Sequence, residues 1–351
     1  MPLAITMGDP AGIGPEIIAR AFRDAPAQTA GCFVAGHVGV MRRAAALVGG
    51  HLPVAEIEQP GDALRLPPRV LPVLPVLPQV AGGAAAPEPE LPAYGQVSAA
   101  AGRMAADAVI WAARAALRGD IAGLVTAPLH KAALAAAGVP FPGHTELLQA
   151  EAAHALGLPI EQVPVRMMLA NDELRTVLVS IHVSLRQAID AVSHDRVLET
   201  LRITHAALGR WPALAAEGGP RLAVAGLNPH AGEEGLFGDE ELRVIGPAIA
   251  SARREGIDAQ GPFPPDTVFM RARQPAGSGR GRFDAVIAMY HDQGLIPVKY
   301  LGLEHGVNVT LGLPLVRTSP DHGTAFDIAG QGVASPDSLL QALRMARELV
   351  A

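Results

Sequence analysis

Short apolar runs alternate along the chain with longer stretches whose apolar residues recur at helical spacing. Residues 5–7, 32–35, 122–125, 165–170, 174–181, 222–226, 285–289 and 307–311 read as buried strands. Residues 98–118, 185–208, 239–255 and 337–350 read as helices, the first with Ser98 as its N-cap. Strands joined by helical crossovers predict an α/β fold with a mainly parallel sheet. Residues 67–92 break this rhythm with closely spaced prolines in an extended Val/Leu context. Proline cannot donate to a sheet ladder, so an edge strand or a surface loop is expected there. No tandem repeat and no linker divides the chain. A second domain is therefore expected as an insertion, with the first built from both chain ends.

Composition narrows the class. A chain of 351 residues can bury one large core or two ordinary ones. At 49% hydrophobic and 18% charged it is neither disordered nor fibrous. A formal charge of −6 without any basic block argues against a grip on nucleic-acid phosphates. The single cysteine, Cys32, excludes an intrachain disulfide framework and a Cys-based zinc cluster. No apolar run reaches the roughly 18 residues of a membrane span, and no signal-like stretch opens the chain. A cytoplasmic protein without membrane partners is expected. Lysine is nearly absent, and both examples, Lys131 and Lys299, lie in motif-like segments.

Candidate chemistry collects where strand-like runs end, the usual ligand side of an open α/β sheet. Gly8-Asp9-Pro10-Ala11-Gly12-Ile13-Gly14-Pro15-Glu16 follows the first run but matches neither a Walker loop nor a dinucleotide fingerprint. It serves equally as a structural turn or a ligand contact. Gly277-Ser278-Gly279-Arg280-Gly281 is expected to be a flexible connection. His182, His230 and His291 each follow a strand-like run. Three converging imidazoles can hold a divalent metal with positions left open for substrate; the other reading is three satisfied loop histidines. Gly143-His144-Thr145-Glu146 offers an imidazole, a hydroxyl and a helix start suited to an anion, or a plain helix cap. Lys299, Asn308 and Arg317 are a cation, an amide and a guanidinium on successive segments, fit for a phosphate or carboxylate if they meet. The loop from His322 through Gly323, Thr324 and Asp327 to Gly330 permits close backbone approach to a ligand, or is a turn.

Taken together, these motifs resemble the 4-hydroxythreonine-4-phosphate dehydrogenase family. The likeness also draws on Thr126-Ala127-Pro128-Leu129-His130-Lys131, Leu227-Asn228-Pro229-His230-Ala231-Gly232-Glu233, Tyr290-His291-Asp292-Gln293-Gly294 and Arg317-Thr318-Ser319-Pro320-Asp321-His322, and runs from residue 5 to about residue 332. It implies two α/β domains with a cleft between them, as in isocitrate and isopropylmalate dehydrogenases. Residues 1–137 and 312–351 would form a discontinuous cofactor-side domain, and 138–311 an inserted domain with the metal ligands and dimer contacts. The implied reaction is NAD- or NADP-dependent oxidation of 4-phosphooxy-L-threonine in pyridoxine 5'-phosphate synthesis. The 2-amino-3-oxo acid formed loses CO₂ to give 3-amino-2-oxopropyl phosphate. The resemblance further implies a homodimer with its metal and active site at the subunit interface.

Carried over position by position, His182, His230 and His291 match metal ligands, for zinc, magnesium or cobalt. His144, Thr145, Lys299, Asn308 and Arg317 match substrate-binding positions. His322, Gly323, Thr324 and Asp327 match a cofactor loop. Lys299, Asp292 and Asp266 are the candidates for proton transfer, ligand orientation or the substrate amine. Residues 67–92 and 271–282 depart from the family pattern and are expected to be surface variation. The alternatives are a paralogue acting on 4-phospho-D-threonate or 4-phospho-D-erythronate, a relative acting on a cyclic dihydrodiol, a three-histidine metal hydrolase, and a non-enzymatic phosphoacid-binding module.

Overall fold

The computed structural model describes residues 1–76, 90–275, 277, 279–302 and 306–350. Five strands come first: β1 (Leu3–Thr6), β2 (Cys32–Gly36), β3 (Val54–Glu56), β4 (Leu71–Pro75) and β5 (Gly123–Thr126). Six follow: β6 (Arg166–Ala170), β7 (Arg175–Leu178), β8 (Leu222–Ala225), β9 (Ala259–Phe263), β10 (Ala285–Ala288) and β11 (Val307–Leu311). The last is β12 (Arg317–Pro320). Helices lie between most of them, so the expected α/β fold is what forms. No helix among the described residues is long and apolar enough to cross a membrane.

The chain divides into two compact units, one of residues 1–164 with 313–350 and one of 165–312. The first is discontinuous and the second inserted. The division falls after Pro164 rather than at 137/138 because the helix His144–Leu156 packs on the long helix Ala99–Arg118 of the first unit.

In the first unit the strand order is β3-β4-β2-β1-β5-β12, parallel throughout. Both faces are covered, so its strands are continuous apolar runs such as Leu3–Thr6, buried at every residue. Ser98 caps the helix Ala99–Arg118 by accepting from Ala101 N (3.1 Å). Gly102 lets this helix press against the next: a Cβ there would sit 1.9 Å from Ala133 O.

The prolines of β4 do not confine it to an edge; the strand lies between β3 and β2. Leu71 N donates to Pro53 O on the β3 side and Val76 N to Gly36 O on the β2 side. Pro72 therefore faces β2, where registered pairing starts only at Val34–Val73, and its missing N–H spares the ladder. The rest of the Pro-rich expectation, residues 77–89, lies outside the described residues.

In the second unit the order is β11-β6-β7-β10-β8-β9. β6 runs antiparallel to both neighbours, while β7, β10, β8 and β9 are mutually parallel. Its core gathers Leu169, Leu178, Val268, Phe283, Val286, Leu295 and Val298. The helix expected over 185–208 is two, Leu185–Ala191 and His194–Leu208. Ser184 and Ser193 each accept from the backbone N–H three residues on, and the second cap breaks the run. The stretch 239–255 opens with a π-helical turn, Glu241–Ile245, before Gly246–Arg254. The region 271–282 is more than surface variation. Arg280 binds the buried carboxylate of Asp284 (2.7 Å) and Glu217 (2.6 Å), and Arg221 also reaches Asp284 (3.2 Å). Ser278 in the expected flexible connection lies outside the described residues.

Candidate active site

Four adjacent parallel strands of the second unit end in candidate residues. His182 follows β7, His291 and Asp292 follow β10, His230 follows β8 and Asp266 follows β9. The rings of His182 and His291 lie 5.5 Å apart at 46°. Two imidazoles sharing a metal at about 2.1 Å would have ring centres about 5 Å apart, so this pair suits one ion. Both line a hollow with Ile181, Val183, Tyr290 and Asp292.

His291 Nδ1 lies 2.7 Å from Asp292 Oδ1, and His230 Nδ1 lies 3.1 Å from Glu233 Oε2. A carboxylate accepts, so each Nδ1 donates, and in the neutral ring the lone pair then lies on Nε2. That is the state a metal ligand needs. His230 is not gathered with the other two: among the described residues no three of His, Cys, Asp and Glu are grouped closely enough to hold a metal. It sits on an unusual turn in which His230, Ala231, Gly232, Glu233 and Glu234 all take left-handed backbone angles, φ +43° to +79°. Non-glycine residues pay roughly 1–2 kcal/mol each for that conformation.

Lys299 and Asn308 are carried away from the strand ends. The helix His291–Tyr300 starts at the end of β10, and eight residues at about 1.5 Å each put Lys299 about 12 Å along it. Asn308 pairs with Leu169, which pairs with Thr176, which pairs with Val286, so it is level with the first half of β7 and β10. Asp266 is exposed in the turn after β9.

In the first unit, Arg317 is buried and donates through Nε (3.0 Å) and Nη2 (2.7 Å) to Thr126 Oγ1. Burial pushes its guanidinium down to about 10, with Glu146 opposing, so it stays charged at neutral pH. His144 lies within its field. Burial, then the Arg317 charge, holds the imidazole well below its ordinary range, and its Nε2 is shielded without a hydrogen bond. Gly143 gives the helix His144–Leu156 no side-chain cap, so the first-turn N–H groups at His144 and Thr145 face outward from the helix end. Cation, imidazole and helix start together have the chemistry that suits an anion.

The loop after β12 packs on the loop after β1. Ile13 N donates to Thr324 O (3.0 Å), and a Cβ on Gly12 would meet Thr324 at 2.9 Å. Glu16, fully buried, accepts from Gly330 N and from Gly332 N (3.0 Å). Thr324 is buried while His322, Gly323 and Asp327 are exposed.

Comparison with known proteins decides the family. The description "Pyridoxal phosphate biosynthetic protein PdxA" matches residues 28–346. The chain belongs to the PdxA family. It is 51% identical to a 4-hydroxythreonine-4-phosphate dehydrogenase of Beijerinckia indica subsp. indica, over 99% of this chain and 95% of that one. It is 43% identical to a D-threonate 4-phosphate dehydrogenase of Salmonella typhimurium, over 99% and 98%. The fold matches the crystal structure of a 4-hydroxythreonine-4-phosphate dehydrogenase from Klebsiella pneumoniae with a TM-score of 0.84 and 39% identity, covering 100% and 99%. This PdxA-family chain is thus a dehydrogenase, an oxidoreductase whose class works with a nicotinamide cofactor.

Two polar residues of the PdxA motifs do not stand out by residue type. Thr126 ends β5 and receives the Arg317 guanidinium. Asp9, fully buried, accepts from Ala11 N (2.8 Å) through Oδ1 while Oδ2 has no hydrogen bond, and burial raises its pKa. The available signal is position, since each stands at or just beyond the carboxyl end of a strand.

Proposed function

We propose that the chain oxidises the secondary hydroxyl of 4-phosphooxy-L-threonine with NAD or NADP, in pyridoxine 5'-phosphate synthesis. The carbon-bound hydride goes to the nicotinamide and the hydroxyl proton to a protein base. The 2-amino-3-oxo acid then loses its carboxylate as CO₂, a proton replacing it, to leave 3-amino-2-oxopropyl phosphate. The observation that carries this reading is the grouping of Arg317, His144 and the start of the helix His144–Leu156. A buried guanidinium suits a phosphate, and Thr145, next to His144 in the chain, adds a hydroxyl.

In the second unit His182 and His291 would hold a divalent metal, with His230 closing on it as third ligand once the ion is bound, and zinc, magnesium and cobalt the candidates. Bound there, the ion would supply a Lewis acid for the reacting oxygen. Asp292 and Glu233 hold the His291 and His230 rings with Nε2 presented. Asp292 and Asp266 would hold or move protons; Lys299 and Asn308, set back from the strand ends of their own chain, would bind substrate, and Lys299 move protons, in a homodimer whose site lies at the subunit interface. In the first unit His322, Gly323, Thr324 and Asp327 would contact the dinucleotide. The exposed apolar side chains beside the histidine-bearing turns, Leu185 and Leu236 among them, support a homodimer formed there.

The test is the rise of reduced-nicotinamide absorbance with 4-phosphooxy-L-threonine, NAD or NADP and added divalent metal, repeated after chelation. Metal-dependent turnover is expected. Arg317→Met should lower kcat/KM by about 10- to 100-fold, the equivalent of a charge-assisted pair. A second reading, oxidation of 4-phospho-D-threonate or 4-phospho-D-erythronate, is favoured by the 43% identity to the Salmonella enzyme. Turnover of those substrates alone would select it, and turnover of none would overturn both.

A further inference from the structure

Buried side chains tie together the turns that bear the three histidines. Ser180, two residues before His182, donates its hydroxyl to Met289 O (3.0 Å), two residues before His291. Met289 N donates to Gln293 Oε1 (2.7 Å), and Gln293 Nε2 donates to Gly226 O (2.8 Å), four residues before His230. Beyond Gly226, Glu241 Oε1 accepts from Leu227 N and Asn228 N, both at 2.7 Å. Ser180, Gln293 and Glu241 are 6%, 9% and 3% exposed.

These contacts begin where the sheet stops. Registered pairing of β10 with β8 ends at Ile287–Val224, yet the histidines lie four and six residues further on. Gln293 spans that gap from the first turn of its helix. The carboxamide accepts from the Met289 N–H and donates to the Gly226 carbonyl at once. A methionine would fill similar volume without burying an amide, so packing alone does not call for glutamine.

We propose that Gln293 is a positioning residue: its carboxamide sets the spacing of the His291 and His230 turns, and through Ser180 and Met289 that of the His182 turn. This rests on the reading of the three histidines as metal ligands. Partners behind the ligands govern affinity, because each imidazole must arrive at the right place without strain.

Cobalt(II) is titrated into the metal-free full chain without oxygen, and its visible ligand-field absorption is followed. Gln293→Met removes both hydrogen bonds, and Gln293→Glu, studied at a pH where the carboxylate is ionised, keeps the acceptor while losing the donor. Both should weaken cobalt binding about 10- to 100-fold and shift the absorption, with circular dichroism of the metal-free chain unchanged. Ser180→Ala, which adds no volume, should weaken binding by less. His182→Ala is the reference for a lost ligand. If it weakens binding while Gln293→Met stays within about twofold of wild type with the same spectrum, the proposal is overturned and the ligand reading stands. If Gln293→Met does not fold, unchanged binding in Gln293→Glu and Ser180→Ala together overturns it. A wild-type chain that binds no cobalt, or a His182→Ala chain that binds it equally well, overturns the ligand reading and the proposal with it.

Discussion

Arg317 and His144 place a buried cation beside an imidazole, and the imidazole answers by staying neutral. That has a pH signature. Unfolded, His144 takes up a proton as pH falls through about 6.5; folded, it resists until a lower pH. The unfolded state then binds more protons, so stability falls with pH between those two points, by at most about 1.4 kcal/mol per pH unit. Urea unfolding of wild type and His144→Asn at about pH 7.5 and about pH 5.5 reads it directly. Wild type should lose more stability than the variant, and equal losses would count against a neutral buried imidazole. Along the chain, His182, His230 and His291 stand out because each closely follows an apolar strand. Gln293 and Thr126 do not, because their partners lie 67 and 191 residues away in the chain and only the fold brings them near. Lys299 and Asn308 look close to His291 in sequence, but a helix and a strand register carry them off.

At the scale of elements, the strand and helix pattern is legible wherever apolar spacing stays regular. It misleads where local polar chemistry or the position of an N–H within a ladder decides the outcome. Ser193 splits an apparently continuous helix, and Pro72 sits inside the sheet because its missing N–H falls before the first β2 rung. The arginine-rich stretch before β10 is the clearest case. Its arginines look like solvated surface, yet Arg280, joined by Arg221 from just before β8, closes on Asp284 just before the strand that leads to His291. Burial pushes the Asp284 carboxyl up, but hydrogen bonds from Arg280 and Arg221 outweigh it and hold the carboxyl below its usual range. Asp284→Asn removes the acceptor charge and leaves two part-buried guanidinium groups. It should cost about 2–3 kcal/mol in urea unfolding, at or below the roughly 3–5 kcal/mol for breaking a fully buried pair, because both arginines keep some solvent. A loss under about 0.5 kcal/mol would mean that solvent already satisfies them.

For the whole molecule, the helix His144–Leu156 belongs with the first unit, and helix-on-helix packing leaves no mark of unit membership in sequence. The segments bearing His182 and His230 pose a larger-scale question. Val183, Leu185 and Ile189 follow the first histidine, and Leu236, Phe237 and Leu242 follow the second, all exposed. Phe237 packs edge-on to His230 (5.8 Å), so its group lies against the candidate ligand itself. A lone soluble chain seldom leaves large side chains bare in such groups unless another surface covers them. If a second copy is that surface, assembly and metal-dependent oxidation depend on one another. Light scattering at micromolar concentration should then give twice 36.3 kDa for wild type and a mass near 36.3 kDa for the double variant Leu236→Glu/Leu242→Glu. Turnover of the double variant should fall with its mass. A wild-type chain that is active at 36.3 kDa would show that these side chains serve the site without a partner.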